Sequence, residues 1–463
     1  MQLIDQLKAR GKAKYLDLAI GRTFGLDDLF AAYSPLPHDR KRLAFLYLDS
    51  SIAAIGAILG YLGKGHAVCL LSEKLNEELK SDLEQRYRPA YVHDLSREEI
   101  AGYSRVDMQA PWRCWRWERT TGDDPLVAAE LDVLLSTSGT TGSAKLVKLS
   151  QRNLYENAVS IADYLPIADD DVCPLNLPLD YSYGLSLLTT NSLFGGTLVC
   201  SLRSVIDRRF WDDFRKYGMT SIAGTPDLYE MLARFGYFDW DLPGMKYLTQ
   251  AGGKLREALV QEYEQHSRSR GRQFFTMYGQ TEATARMSFV PPESLADHAG
   301  SIGRPIRNGS FRIDPDTGEL AYAGPNVFGG YVESVDDLMT WSPTDWLATG
   351  DIARRDEDGF YYIVGRIKRF AKMFGQRVNL DELERRLEQR FPGARFACAR
   401  IADNELLVGV EGGRVPAEDV LDYLSKTLRL QRSGLSVVAV AVLPTTANGK
   451  IDYRALAESK TVQ

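Results

Sequence analysis

The sequence predicts an α/β fold: a large N-terminal domain of βαβ-type sheets with a small β subdomain, followed by a small mobile α+β C-terminal domain. Three observations carry this. Short runs that are apolar on both faces alternate with helical patterns, as in parallel sheets covered on both sides. A strand pattern ends in a Gly-rich or polar turn near 136, 224, 252 and 278, and open α/β sheets hold ligands at such carboxyl ends. From about residue 300 the pattern changes to short strands and turns, and beyond 366 to mixed α and β.

The first βαβ unit spans 42–71. A buried strand at 43–48 leads to Asp49, Ser50 and Ser51, which can cap a helix over 52–62. Gly63 and Gly65 end the helix, and a second buried strand follows at 67–71. A polar amphipathic helix at 75–86 and a strand at 90–93 come next. Trp112, Trp115 and Trp117 interleave with Arg113, Arg116 and Arg119. Such interleaving can bind single-stranded nucleic acid, but in an acidic protein with one short stretch of this kind an edge strand or surface-packed connector is the favoured reading. Helices at 153–164, 186–194 and 210–217 then alternate with strands at 197–200, 221–226, 247–249 and 273–277. In the last hundred residues Asn379 with Glu382 suggests a capping box for a helix over 380–391. Strands at 396–402, 405–411 and 436–443 with a helix at 417–430 complete the chain.

Composition narrows the function. With 463 residues there is room for more than one domain, and a net charge of −6 argues against a general nucleic-acid binder. The five cysteines form no CxxC pair, and the histidines show no metal-ligand spacing, which fits a reducing, cytoplasmic setting. The first residues carry charge throughout and do not read as a signal peptide, and no apolar run is long enough to span a bilayer.

The stretch 136–145 ends an apolar strand in small and hydroxylic residues: Thr137, Ser138, Gly139, Thr140, Thr141, Gly142, Ser143, Ala144, then Lys145. Backbone N–H groups and hydroxyls in such a loop suit an anion, most naturally a phosphate. It is not a Walker A loop, because Ala144 precedes the lysine and no Ser or Thr follows it.

Taken in order, 136–145, Tyr278-Gly279-Gln280-Thr281-Glu282, Thr349-Gly350-Asp351, Gly365-Arg366 and Asn448-Gly449-Lys450-Ile451-Asp452 closely resemble the adenylate-forming superfamily. That superfamily comprises acyl-CoA synthetases, peptide-synthetase adenylation domains and firefly-type luciferases. The resemblance covers about residues 40–456 and implies a division into 1–367, holding the ATP and acid sites, and 368–463, a mobile domain carrying the catalytic lysine. The N-terminal portion looks trimmed relative to a typical acyl-CoA synthetase.

The resemblance also implies a reaction and its residues. A small carboxylic acid attacks the α-phosphate of ATP, pyrophosphate leaves, and a thiol displaces AMP to give a thioester. Thr137, Ser138, Thr140, Thr141 and Lys145 resemble the loop that cradles the β- and γ-phosphates. Ala144 and Leu146 replace the family's usual Pro and frequent Gly. Thr281 resembles the α-phosphate contact and Glu282 the Mg2+ ligand, Tyr278 would stack on adenine, and Gly252-Gly253 would admit the ring. Asp351 resembles the ribose ligand, with Arg366 beside it, and Lys368 resembles the hinge. Lys450 resembles the lysine that offsets charge at the α-phosphate and carboxylate. Gly375 resembles the glycine of the pantetheine tunnel. The acceptor is CoA or the phosphopantetheine of a separate acyl carrier protein. The basic stretch 366–377 either meets that thiol's phosphates or is a solvated loop. Adenylation with a non-thiol acceptor and a catalytically silent nucleotide-binding module are the other readings.

The acid pocket should be lined by Asp180, Tyr181 and Ser182, with Gly184, Phe289 and Gly303 nearby. Ser182 stands where amino-acid-activating relatives commonly carry Asp, which favours an acid without an amine there. Asp180, two residues away, would lie on the same side of an extended segment and leaves an amino acid open.

Overall fold

The computed structural model describes residues 2–108, 114–118, 124–136, 145–446 and 451–458. The chain forms two compact units, one of residues 1–310 with 322–347 and one of 311–321 with 348–463. The small sheet expected in the N-terminal domain therefore belongs largely to the second unit. The physical reason is pairing: strand Leu347–Arg355 lies between Glu319–Ala323 and Tyr361–Arg366 in one four-stranded sheet. Lys368, the expected boundary, lies inside the second unit.

In the first unit the βαβ reading of 42–71 holds. Strands Leu43–Leu48 and Ala67–Ser72 pair in parallel, and helix Ile52–Gly63 joins them with Ser51 accepting the Ala54 N–H at 3.3 Å. This helix is buried on nearly every side. Its glycines permit that, because a Cβ on Gly60 would fall 2.3 Å from the Tyr33 ring and one on Gly63 2.6 Å from Phe30. The strands sit in an eight-stranded sheet in which Val133–Ser136, Leu146–Leu149 and Tyr331–Val332 follow Ala67–Ser72 toward one edge. Trp115–Trp117 and Tyr103–Arg105 form the other edge. The Trp/Arg stretch is thus an edge element where it is described, with Trp115 buried and Trp117 edge-on to Tyr103 at 4.4 Å.

A second sheet is built from parallel strands Ser221–Gly224, Tyr247–Gln250 and Gln273–Tyr278, continued antiparallel by Ser288–Val290 and Arg304–Pro305. A third runs in the order Val172–Pro174, Thr197–Cys200, Lys14–Asp17, Arg22–Gly25, and only Thr197–Cys200 of it was legible in the sequence. Its N-terminal strands are four residues each, too short to set a period.

The second unit adds the hairpin Phe370–Met373 with Gln376–Asn379 and a sheet of Phe396–Ala402, Glu405–Glu411 and Leu435–Val440. Helix Leu380–Arg390 forms as expected, but only half of its capping box does. Asn379 accepts the Asp381 and Glu382 N–H groups, while the Glu382 carboxylate turns outward to Arg385 and Arg386. The helix expected over 417–430 ends early: Ala417–Asp422 gives way to a π turn at Tyr423–Thr427. Among the described residues no helix is long and apolar enough to cross a membrane.

Candidate active site

Register alone assembles the first part of the site. Gly224, Gln250 and Thr276 lie side by side across the parallel strands, so the turns that follow leave from one sheet edge. Gly252 has φ +87°, and a Cβ there would fall 2.5 Å from the Tyr181 hydroxyl, so Tyr181 lies across the Gly252-Gly253 turn. Tyr278 ends its strand half-buried, and the Gln280 amide donates to its hydroxyl at 3.4 Å.

The turn after Tyr278 is tightly closed. A Cβ on Gly279 would meet the Ala285 carbonyl at 1.8 Å, and Met287 N donates to the Tyr278 carbonyl. Thr284 has φ +66°, a left-handed conformation that costs a β-branched residue energy and persists only where its surroundings impose it. Those surroundings are explicit. Thr284 Oγ1 donates to the Asn326 carbonyl at 2.7 Å, and Asn326 Nδ2 donates to the Ala283 and Arg286 carbonyls. Asn157 grips Arg286 through both its backbone N–H and its carbonyl. Phe328 N donates to the Glu282 carbonyl at 2.9 Å.

Held in this way, the turn connects four sequence-distant side chains. Thr281 Oγ1 donates to Ser182 Oγ at 3.4 Å, and the Tyr331 hydroxyl donates to Glu282 Oε1 at 2.9 Å. Lys145 Nζ lies 5.5 Å from the centre of the Tyr331 ring and pairs with Glu333 at 2.6 Å. Burial and the Glu282 charge push the Tyr331 hydroxyl well above its ordinary value, so it remains a donor. Ser182, Thr281, Glu282 and Lys145, each expected at the site, are therefore brought together, joined by Tyr331, which was not foreseen. Thr137, Ser138, Thr140 and Thr141 lie outside the described residues. The strands flanking them pair antiparallel with Ser136 opposite Leu146, and Leu146–Leu149 in turn pairs with Tyr331–Val332.

Asp180 is partly buried, and desolvation pushes its carboxyl up to about 6, opposed by Lys74 and reinforced by Glu73. Ser182 opens helix Ser182–Phe194, and Tyr181 precedes it. Phe289 stacks on Tyr164 at 3.9 Å. The cradles at Gly184 and Gly303 are filled by backbone: a Cβ would meet the Pro178 carbonyl at 2.0 Å and the Phe289 carbonyl at 1.8 Å.

In the second unit, Asp351 is 1% exposed and sits opposite Arg366, whose Nε donates to its carboxylate at 2.9 Å. Gly350 at φ +72°, with Thr349 Oγ1 bonded to the Leu320 carbonyl, shapes the strand backbone that presents this carboxylate. Lys368 is central in the short 3-10 turn Ile367–Arg369. Gly375, at φ +87°, forms the hairpin turn with Phe374 at φ +48°. Arg369 departs from both readings of the basic stretch. It is largely covered in the second unit, paired with Asp381 and Glu384 and stacked 3.5 Å from the centre of the Tyr453 ring. Lys450 lies outside the described residues. On either side of it Thr445 bridges Ile451, and Asp452 N donates to the Pro444 carbonyl.

Magnesium fits the first-unit residues. Glu282 Oε2 has no partner among the described residues, and a carboxylate oxygen is the ligand type this hard cation takes.

The AMP-binding enzyme family matches residues 31–332. The chain belongs to this family. Among AMP-binding relatives, an indoleacetate–CoA ligase from Aromatoleum aromaticum is 30% identical over 398 residues, 80% of this chain and 77% of that protein. An oxalate–CoA ligase from Arabidopsis thaliana is 27% identical over 346 residues, 70% of this chain and 67% of that one. The fold is that of an O-succinylbenzoate coenzyme A synthetase from Bacillus subtilis solved in complex with ATP and magnesium ion, with a TM-score of 0.74 over 98% of each chain at 20% identity.

Sequence reasoning missed Arg286, Tyr331, Asn157 and Asn326. A signal was present for Arg286: it is the one charge in the otherwise small and apolar run 283–290.

Proposed function

We propose that this AMP-binding enzyme is an AMP-forming acid–CoA ligase. The observation that carries the reading is the string Ser182, Thr281, Glu282, Tyr331, Lys145 along the strand ends. It sets an alcohol, a carboxylate and a cation together at strand ends, with Lys145 directly following the hydroxyl-rich stretch 137–144 in the sequence. Phosphoryl chemistry leaves the protein little covalent work, so positioned charge and donors are what the reaction requires.

In the first half-reaction a carboxylate oxygen bonds to the α-phosphorus of ATP, and the bond from that phosphorus to the bridging oxygen breaks, releasing pyrophosphate. Thr137, Ser138, Thr140, Thr141 and Lys145 hold the leaving pyrophosphate, and Thr281 donates to the α-phosphate. Magnesium, when bound, neutralises phosphate charge, and Glu282 supplies its carboxylate ligand. Tyr278 and Gly252-Gly253 receive the adenine, while Asp351 accepts from the ribose hydroxyls with Arg366 beside it. Lys450 offsets the charge shared by the acid and the α-phosphate. In the second half-reaction a thiol sulfur attacks the acyl carbon and AMP leaves. Residues 368–463 turn about Lys368 between the two, and Gly375 borders the thiol path. CoA is the thiol favoured by the relatives' names; a carrier-protein pantetheine presents the same sulfur chemistry. The relatives are named for acids as different as oxalate and indoleacetate, so no acid is carried over from them.

The test is acid-dependent exchange of labelled pyrophosphate into ATP, followed by thioester formation with CoA. Exchange with at least one carboxylic acid is expected. Absence of exchange across fatty, aromatic, hydroxy and amino acids would refute the reading.

A further inference from the structure

Arg286 is 3% exposed, yet among the described residues no carboxylate pairs with it. Its Nε donates to Met277 Sδ at 3.3 Å, and its guanidinium lies 3.8 Å from the centre of the Tyr183 ring. A thioether, an aromatic face and the Tyr164 hydroxyl are all neutral company for a desolvated cation, and buried arginines ordinarily hold a carboxylate. Its backbone is fixed by Asn157 and Asn326, so the guanidinium is placed rather than adrift.

Arg286 lines a cavity with the polar Ser186, Thr190, Asn191, Ser221 and Thr249, closed elsewhere by apolar residues such as Ile161 and Leu165. Thr190 is 1% exposed, and its Oγ1 is buried without a hydrogen-bond partner. Asn191 Oδ1, also buried and unpartnered, leaves one acceptor there for a water. The cavity measures only about 10 Å³, close to the space of a single water. It therefore admits an oxygen atom and excludes an alkyl chain. A buried cation without a counter-charge and a buried hydroxyl without a partner, both lining one oxygen-sized space, are complementary to a carboxylate oxygen.

The elements that line the cavity also carry reaction-side residues. Arg286 is four residues beyond Glu282 on the same pinned turn. The helix that carries Ser186, Thr190 and Asn191 begins at Ser182, which touches Thr281. An acid whose reacting carboxylate lies near Thr281 would point its far end along this helix.

We infer that the acid activated by this enzyme carries a second carboxylate, which Arg286 and Thr190 bind at the far end of the acid pocket. The inference rests on the acid-activation reading above. A second anionic group replaces the missing counter-charge of Arg286 only when the right substrate is present, so binding and selectivity come from the same pair. A neutral isostere of that group would leave the cation unpaired and is discriminated against.

The experiment is acid-dependent ATP–pyrophosphate exchange with unbranched diacids of two to six carbons and with 2-carboxyphenylacetate, each measured against its half-amide. The parent enzyme is expected to prefer the best diacid over its half-amide by roughly 10–100-fold in kcat/KM, the scale of one charged pair. Arg286→Met, which keeps volume and removes charge, should raise KM for the diacid by a similar factor, leave kcat within a few-fold, and collapse the preference. Equal use of diacid and half-amide by the parent enzyme would overturn the inference while leaving acid activation intact. Exchange with no acid at all would overturn the acid-activation reading and the inference with it. If Arg286→Met does not fold, the parent's diacid preference decides alone.

Discussion

On the nucleotide side of the first unit, the proposed groups come from one short turn, Tyr278 to Glu282, and from the single loop that ends at Lys145. On the acid side they come from Tyr181, Thr190 and Arg286, about a hundred residues apart at the extremes and joined only by packing. Phosphates are gripped by backbone groups and adjacent hydroxyls, so their residues can be contiguous. An acid's far end is met by side chains projecting from a helix and a turn into one small space, and no contiguous motif is needed. The first kind of site announces a reaction; the second announces a substrate only after the chain has folded.

The largest expected effect tests the nucleotide side. Lys450→Ala should lower adenylation by roughly 10²–10³-fold, the scale of losing one charge-stabilising group. Thioester formation from supplied acyl-adenylate should be nearly unchanged. Near-parental pyrophosphate exchange would show that Lys450 has no such role and would leave the contiguous turn as the whole machinery.

A smaller effect is expected from Tyr331→Phe, which removes the hydrogen bond that orients Glu282. Groups that orient a metal ligand typically change metal affinity by about 10–100-fold, and this one is at the low end because Tyr331 is partly exposed. A Mg2+ titration of exchange should show a roughly 10-fold higher half-saturation with little loss at saturating Mg2+. An unchanged Mg2+ dependence would detach Tyr331 from the metal.

The smallest effect concerns Asp180 on the acid side. Its folded-state pKa of about 6 lies above the ordinary carboxylate value. The fold therefore favours the protonated form, and that stabilisation is complete below about pH 4 and lost as pH rises through about 6. Asp180→Asn removes the dependence. The variant's melting temperature should gain on the parent's by roughly 1–3 °C between pH 5 and 7.5. A constant difference across that range would mean that Asp180 is solvated and plays no part in the pocket's electrostatics.

The βαβ core was legible because fully apolar strands and a Ser-capped helix write their period into the sequence. The strand ends at 224, 252 and 278 were legible because each stops at glycine or a polar turn. The N-terminal sheet was not, because its strands are short and pair with Thr197–Cys200, far along the chain. The placement of strand Leu347–Arg355 with the second unit depends on long-range pairing that no local pattern reports. Arg369 looked like one cation among several, and only the helix Leu380–Arg390 reveals its carboxylate partners Asp381 and Glu384. Tyr331 and Arg286 follow the same logic: each owes its place to asparagines or carboxylates elsewhere in the fold.

The central claim is that ATP is cleaved between its α- and β-phosphates in an acid-dependent way. Phosphorus-31 NMR of enzyme, ATP, Mg2+, CoA and an active acid tests it most directly. One AMP and one pyrophosphate per thioester formed are predicted, with none when the acid is omitted. ADP and orthophosphate as products, or AMP released at the same rate without acid, would contradict the account.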